Sequence, residues 1–232
     1  MDFNSLKLFN HLRGSSRKQF AVIGLGRFGK AVCQTLYKLG YDVLGTDINE
    51  KRVADALNQR IASSAIELDS TDPVALKQAG IFEFDTVIIA IGNYIQESIV
   101  TTLNVKEAGV ECVVAKASTE IHGKLLKKVG ADLVVFPEFD AGKELAHSLT
   151  KPAILERFEL DPEHSIVEVI VPQEFNGKTL QELEFRRRYG LSVLAIGNGE
   201  KFIVNPTPDQ RLYQGSAMVV IGSNKSIEKL PI

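Results

Sequence analysis

A glycine-rich turn, Gly24-Leu25-Gly26-Arg27-Phe28-Gly29, sets the strongest limit on the architecture of this 232-residue chain. It follows the apolar run Phe20-Ala21-Val22-Ile23. It opens a segment in which Phe28, Val32, Leu36 and Leu39 recur at helical spacing, with Gly40 placed to close that helix in a left-handed cap. Asp47 stands 23 residues after Gly24, at the end of the next apolar run. Strand, glycine turn, helix and distal acid together make up a dinucleotide-type phosphate site, whereas the glycine spacing alone is a weak signal. Gly24 permits the tight turn, Gly26 lets phosphate oxygens approach the backbone, and Gly29 lets the helix pack closely on the sheet. The helix start offers amides and a positive dipole end to an anion. Asp47 can accept from both ribose hydroxyls and would repel a 2′-phosphate, so NADP is disfavoured.

The same alternation runs on from Lys18 to about residue 150. Apolar runs 42–46, 65–68, 86–91, 112–115 and 133–136 read as strands, and periodic segments between them read as helices; Asp72-Pro73 is a cap and first-turn proline. The run Thr86 to Ile91 is apolar throughout, as a strand covered on both faces would be. This pattern predicts an α/β fold, a doubly wound parallel Rossmann-type sheet. After Lys151-Pro152 the pattern changes. Strands are predicted at 165–171, 191–196, 201–204 and 217–221, with a short helix across Thr179–Phe185, giving a small α+β C-lobe. The division predicted is an N-terminal extension at 1–17, a nucleotide-binding domain at 18–150 and a C-terminal domain at 153–232. Leu6, Leu8, Phe9 and Leu12 give the extension a short apolar face.

Several function classes are excluded by composition and motif. A net charge of −2 supplies no global basic field, so nucleic acid is not expected as a partner. No apolar run approaches the ~20 residues of a membrane span, and the N-terminus lacks the order of a secretory signal. Cys33 and Cys112 lack metal-ligand spacing and read as buried small hydrophobes in a reducing, cytoplasmic setting. His11, His122, His147 and His164 share no catalytic motif with Cys, Asp or Ser. The charged run Glu182, Glu184, Arg186, Arg187, Arg188 reads as a solvated helix end. A nucleotide-binding domain without evident chemistry points to a sensor rather than an enzyme.

The candidate binding set follows from the strand ends. Gly24, Gly26, Arg27, Phe28 and Gly29 come from the first turn, and Asp47 and Ile48 from the second. Asp69 and Ser70 follow the third strand, Ile91, Gly92 and Asn93 the fourth, Lys116 ends the fifth, and Glu138 follows the sixth just past Pro137. Arg27 places a rigid fork of donors at a helix N-terminus, which suits a polyphosphate.

These motifs, with Val114-Ala115-Lys116-Ala117 and Gly130-Ala131-Asp132 before Pro137-Glu138, closely resemble the Ktr/Trk-type potassium-uptake regulators. Those are RCK (regulator of potassium conductance) proteins, and the resemblance runs from Lys18 to Ile232. Arg27 in the loop favours the Ktr-like branch, which binds ATP and ADP, over the NAD-binding Trk-like branch. The resemblance implies homodimers assembled into an octameric ring on the inner face of the membrane, beneath a potassium-translocating subunit. It implies that Arg27 reaches the γ-phosphate across the dimer interface. It also implies that Glu138 helps hold Mg²⁺ or Ca²⁺ between opposed triphosphates. A sensor of NAD(H) and an NAD-dependent oxidoreductase are the alternative readings.

Overall fold

Six parallel strands form the first sheet of the computed structural model, which describes residues 18–150, 152–197 and 201–232. The N-terminal extension at 1–17 with its apolar face and His11, and Lys151, lie outside the described residues, as does the side chain of His147. The order along the chain is β1 (Gln19–Ile23), α1 (Arg27–Lys38), β2 (Asp42–Asp47), α2 (Glu50–Asn58), β3 (Ser64–Glu67), α3 (Pro73–Gln78), β4 (Thr86–Ile89), α4 (Ile95–Glu107), β5 (Cys112–Lys116), α5 (Glu120–Lys128), β6 (Leu133–Val135) and α6 (Pro137–Thr150). The strands lie in the order β3-β2-β1-β4-β5-β6, and each pairing is parallel. The chain winds outward from β1 to β3, then returns to β4 beside β1. That reversal opens a crevice at the carboxyl ends of β1 and β4, where α/β sheets take their ligands.

The apolar runs are uninterrupted because both sheet faces are covered. Ala21, Ile23, Val87 and Ile89 point into one buried cluster with Leu76, Val105 and Leu126. Val22 and Ile88 point into the other, with Leu25, Cys33, Val53 and Ala56. Helix ends follow local chemistry. Asn49 and Asp72 accept from the backbone N–H of Arg52 and Val74, Pro73 occupies the first turn, and Gly40 takes a φ of +86° after α1. Both cysteines are buried and free, and burial pushes the Cys33 thiol up to about 12. His122 is also buried, accepts at Nδ1 from Ser118 N at 3.3 Å, and burial lowers its pKa.

The chain divides into two compact units between Ala141 and Gly142, within α6. The second holds β7 (Ile154–Glu159), β8 (His164–Ile170), α7 (Leu180–Leu183), α8 (Phe185–Tyr189), β9 (Ser192–Gly197), β10 (Phe202–Val204), β11 (Ala217–Ser223) and α9 (Asn224–Ile227). Its sheet is antiparallel, in the order β10-β9-β11-β8-β7. The helix expected across Thr179–Phe185 is two short ones, because Glu184 sits between them with φ +49°. A capping box of Thr179 and Glu182 starts the first, and Glu184 pairs with Arg187 and Arg188 on the second. Helix α6 and strand β7 have no counterpart in the sequence reading. β7 is an edge strand whose Leu155 and Phe158 are about half exposed, so it shows no clean alternation of apolar and polar residues.

Candidate functional site

The three glycines of the first turn meet three different spatial demands. Gly24 takes a φ of +101°, donates to Thr46 O at 2.7 Å, and lies so close to Ala90 that a Cβ would fall 3.2 Å from its carbonyl carbon. Gly29 is tighter still, since a Cβ there would fall 1.8 Å from the Gly24 carbonyl oxygen. Gly26 is the opposite case. It is the N-cap of α1, makes no side-chain cap, and a Cβ on it would meet nothing within 4 Å. The first-turn amides of α1 therefore face open space bounded by glycine, the arrangement an anion needs.

Asp47 ties this turn to β2. Its side chain is 3% exposed. Oδ2 accepts from Leu25 N at 2.7 Å and from Arg52 Nη1 at 3.2 Å, and Oδ1 accepts from Asn49 N at 2.9 Å. A carboxylate offers about four acceptor positions, so this geometry leaves room for about one further donor. Removing the carboxylate would strand the Leu25 amide in the core. Asp47→Ala is expected to destabilise the nucleotide-free protein by about 1–3 kcal/mol, and Asp47→Asn by less because an acceptor remains. Urea unfolding measures both, and an Asp47→Ala curve superposed on wild type would refute the tie.

The other wall comes from the ends of β3 to β6. Asp69 accepts from Thr71 N and Thr71 Oγ1, the side-chain bond first, which hold its carboxyl below the usual range. Ser70 Oγ lies 2.8 Å from Thr101 Oγ1 of α4, and Thr71 O accepts from Asn104 Nδ2. The loop after β3 is thus latched to α4 by buried polar contacts. Ser118 Oγ donates to Gly92 O, joining the loops after β4 and β5. Lys116 extends past Gly92, where a Cβ would fall 2.9 Å from Nζ and push the flexible lysine tip aside. Lys116 Nζ reaches Glu138 Oε1 at 2.5 Å and lies 5.9 Å from the centre of the Phe28 ring. The hydrogen bond from Lys116 is the main cause that holds the Glu138 carboxyl below its usual range, and the charge of Arg27 adds to it.

One cavity of about 620 Å³ takes in nearly the whole predicted set. Gly24, Gly26, Arg27 and Phe28 line it from the first turn, and Asp47 and Ile48 from the second. Asp69, Ser70, Ile91, Gly92 and Asn93 line it from the third and fourth, with Lys116 and Glu138 beyond. Gly29 stands behind the lining, where it keeps α1 against the turn. Sequence reasoning missed Arg52, Tyr94 and Glu97 in the lining. Arg52 lies in the first turn of α2, five residues after Asp47. Among the described residues no group of three or more His, Cys, Asp and Glu side chains is placed to hold a metal ion. Glu138 is a single carboxylate already bonded to Lys116, so a cation here would draw its remaining oxygen ligands from phosphates.

Residues 20–137 match the TrkA-N domain and residues 165–230 the TrkA-C domain. The chain is 43% identical over 213 residues to the Ktr system potassium uptake protein C of Bacillus subtilis, covering 92% of this chain and 96% of that protein. It is 37% identical to that organism's Ktr system potassium uptake protein A, covering 91% and 95%. In structure it is similar to the GsuK RCK domain, with a TM-score of 0.65 at 19% identity; the match covers 97% of this chain and 51% of that one. Among the described residues no helix is long and apolar enough to cross a membrane. With one domain model covering the parallel sheet, a second covering the C-terminal unit, and full-length relatives at this identity, the chain belongs to the Ktr/Trk-type potassium-uptake regulatory subunits of RCK fold.

Proposed function

We propose that this chain binds ATP and ADP in the β1–β4 crevice and, as a cytoplasmic subunit, gates a membrane potassium-translocating partner. The observation that carries this reading is the charge at one end of the cavity. Arg27 on the first turn of α1 and the Lys116–Glu138 pair line the same space, and Glu138 feels both cations. Two positive groups against one negative group, together with a helix N-terminus, suit a polyphosphate better than a neutral ligand. Arg27 would meet the γ-phosphate, a contact that ADP lacks. Such a difference between two ligands is what shifts a conformational equilibrium.

In this reading 18–150 is the nucleotide domain, 153–232 the C-terminal domain and 1–17 an extension. Homodimers assemble into an octameric ring, peripheral to the membrane through the partner. Glu138 would help hold Mg²⁺ or Ca²⁺ at the phosphates. No residue is assigned a catalytic role. Switching a ring between states takes ~5.5 kcal/mol of differential binding, or about 0.7 kcal/mol from each of eight concerted sites.

A sensor of NAD(H) is the second reading, favoured by the GsuK channel bound to NAD, which shares the fold with a TM-score of 0.63 at 19% identity. Thermal unfolding with ATP, ADP, NADH and NAD⁺ at matched concentrations separates the two, because preferential binding raises stability. ATP and ADP should both raise Tm by more than either dinucleotide. NADH stabilising most, with ATP inert, would overturn the adenylate reading.

A further inference from the structure

Beside Asp47, on the β2 side of the crevice, stands a second guanidinium, that of Arg52. Its backbone is held at the start of α2, where its N–H donates to Asn49 O at 3.0 Å and Asn49 Oδ1 at 3.2 Å. Its side chain is 51% exposed and lines the cavity beside Asp47 and Ile48. Arginine carries five N–H donors. Among the described residues the recorded side-chain partner of Arg52 is Asp47, through Nη1 alone. The remaining donors lie on a half-exposed fork at the lip of the cavity.

This pair changes what Asp47 means for specificity. An acidic residue at the end of β2 excludes a ribose phosphate when it faces the ribose as an unopposed charge, while an arginine nearby accommodates one. Here the carboxylate is 3% exposed, accepts from two backbone amides, and has its charge opposed by Arg52 at 3.2 Å. Of the nearby carboxylates, Asp69 is turned onto Thr71 and Glu67, opposite Asp47 in the β2–β3 register, is exposed. A group entering beside Asp47 therefore meets a guanidinium with donors to spare.

We infer that Arg52 opens the ribose end of the crevice to nucleotides carrying a phosphate on the ribose 2′- or 3′-oxygen. This rests on the reading of the crevice as an adenosine-nucleotide site and reverses the exclusion expected from Asp47 alone. The fork geometry suits a phosphate, and the exposure of Arg52 makes the contact sensitive to salt.

Isothermal titration of the full chain with AMP, ADP, adenosine 2′,5′-bisphosphate and adenosine 3′,5′-bisphosphate tests it, the two bisphosphates distinguishing the position of the ester. At least one bisphosphate should bind wild type no more weakly than AMP. Arg52→Ala should weaken that bisphosphate by about tenfold more than it weakens AMP, the loss of one charged hydrogen bond. Arg52→Lys should recover part of the preference, and unfolding of both variants without ligand checks that the fold is kept. Both bisphosphates binding wild type more than tenfold weaker than AMP would overturn the inference while leaving the adenosine site intact. So would an Arg52→Ala variant that weakens AMP and bisphosphate equally. Wild type that takes neither AMP nor ADP would overturn the adenosine reading, and this inference with it.

Discussion

Gly29→Ala is expected to destabilise the fold, and Gly26→Ala to leave the fold intact while abolishing most nucleotide affinity. The two substitutions add the same methyl group within one turn, three residues apart. At Gly29 the new Cβ would lie 1.8 Å from the carbonyl oxygen of Gly24, a backbone atom with no rotamer to escape into. That oxygen belongs to a residue at φ +101° whose amide is bonded to Thr46, so the turn cannot retreat without losing β2. We expect a cost of at least about 3 kcal/mol, read as a fall in Tm of roughly 6–12 °C. At Gly26 the methyl would meet nothing within 4 Å, and its φ of −68° is open to alanine. The small loss of alanine at an N-cap, about 0.5–1 kcal/mol, is offset by a comparable gain from restricting the unfolded chain. If a phosphate docks against the backbone at Gly26, the methyl would stand in its way, and ATP and ADP affinity should both fall by at least about tenfold. Circular dichroism melts and calorimetric titration of the two variants read these outcomes. Equal stability of Gly29→Ala and wild type, or unchanged nucleotide affinity in Gly26→Ala, would refute the division of labour within the turn.

What could be read from sequence was local or periodic. The glycine turn and the Asp72-Pro73 start of α3 are each made by adjacent residues, the parallel alternation is periodic along the chain, and all have their structural counterpart. The doubly covered sheet was legible because Val87, Ile88 and Ile89 leave no polar position for either face. The contacts that shape the cavity were not local. Asp47 bonds to Leu25, 22 residues back, and Lys116 bonds to Glu138, 22 residues on. Neither distance has a periodicity to announce it. The left-handed turn at Glu184 was hidden for another reason: a non-glycine residue rarely adopts that conformation, and here it sits between Leu183 and Phe185, both buried in the C-terminal core. Arg52 went unnoticed because an exposed arginine on a helix is ordinary in sequence. Its proximity to a buried carboxylate appears only when β2 and α2 are seen together.

Arg27→Ala should erase most of the preference for ATP over ADP. The guanidinium is exposed on the first turn of α1 and lines the cavity with Lys116 and Glu138. If it serves the γ-phosphate, its removal takes charged hydrogen bonds from ATP alone, worth about 1.5–3 kcal/mol, or roughly 10- to 150-fold in Kd. ADP affinity should stay within about threefold, because the α1 amides and Lys116 remain to serve the shared diphosphate. Arg27→Lys should keep part of the preference, since it retains the charge but loses the planar fork. The discrimination should also shrink as salt is raised, as expected for an exposed cation on an exposed anion. Competition calorimetry of ATP against ADP measures the ratio directly, and size measurement under the same conditions reports whether assembly has changed with it. Equal losses for both nucleotides would assign Arg27 to the diphosphate and leave ring switching without its discriminating contact. A lost ATP preference in a variant that still assembles would place the discrimination in the guanidinium itself, because each of the other cavity groups is still present in that variant.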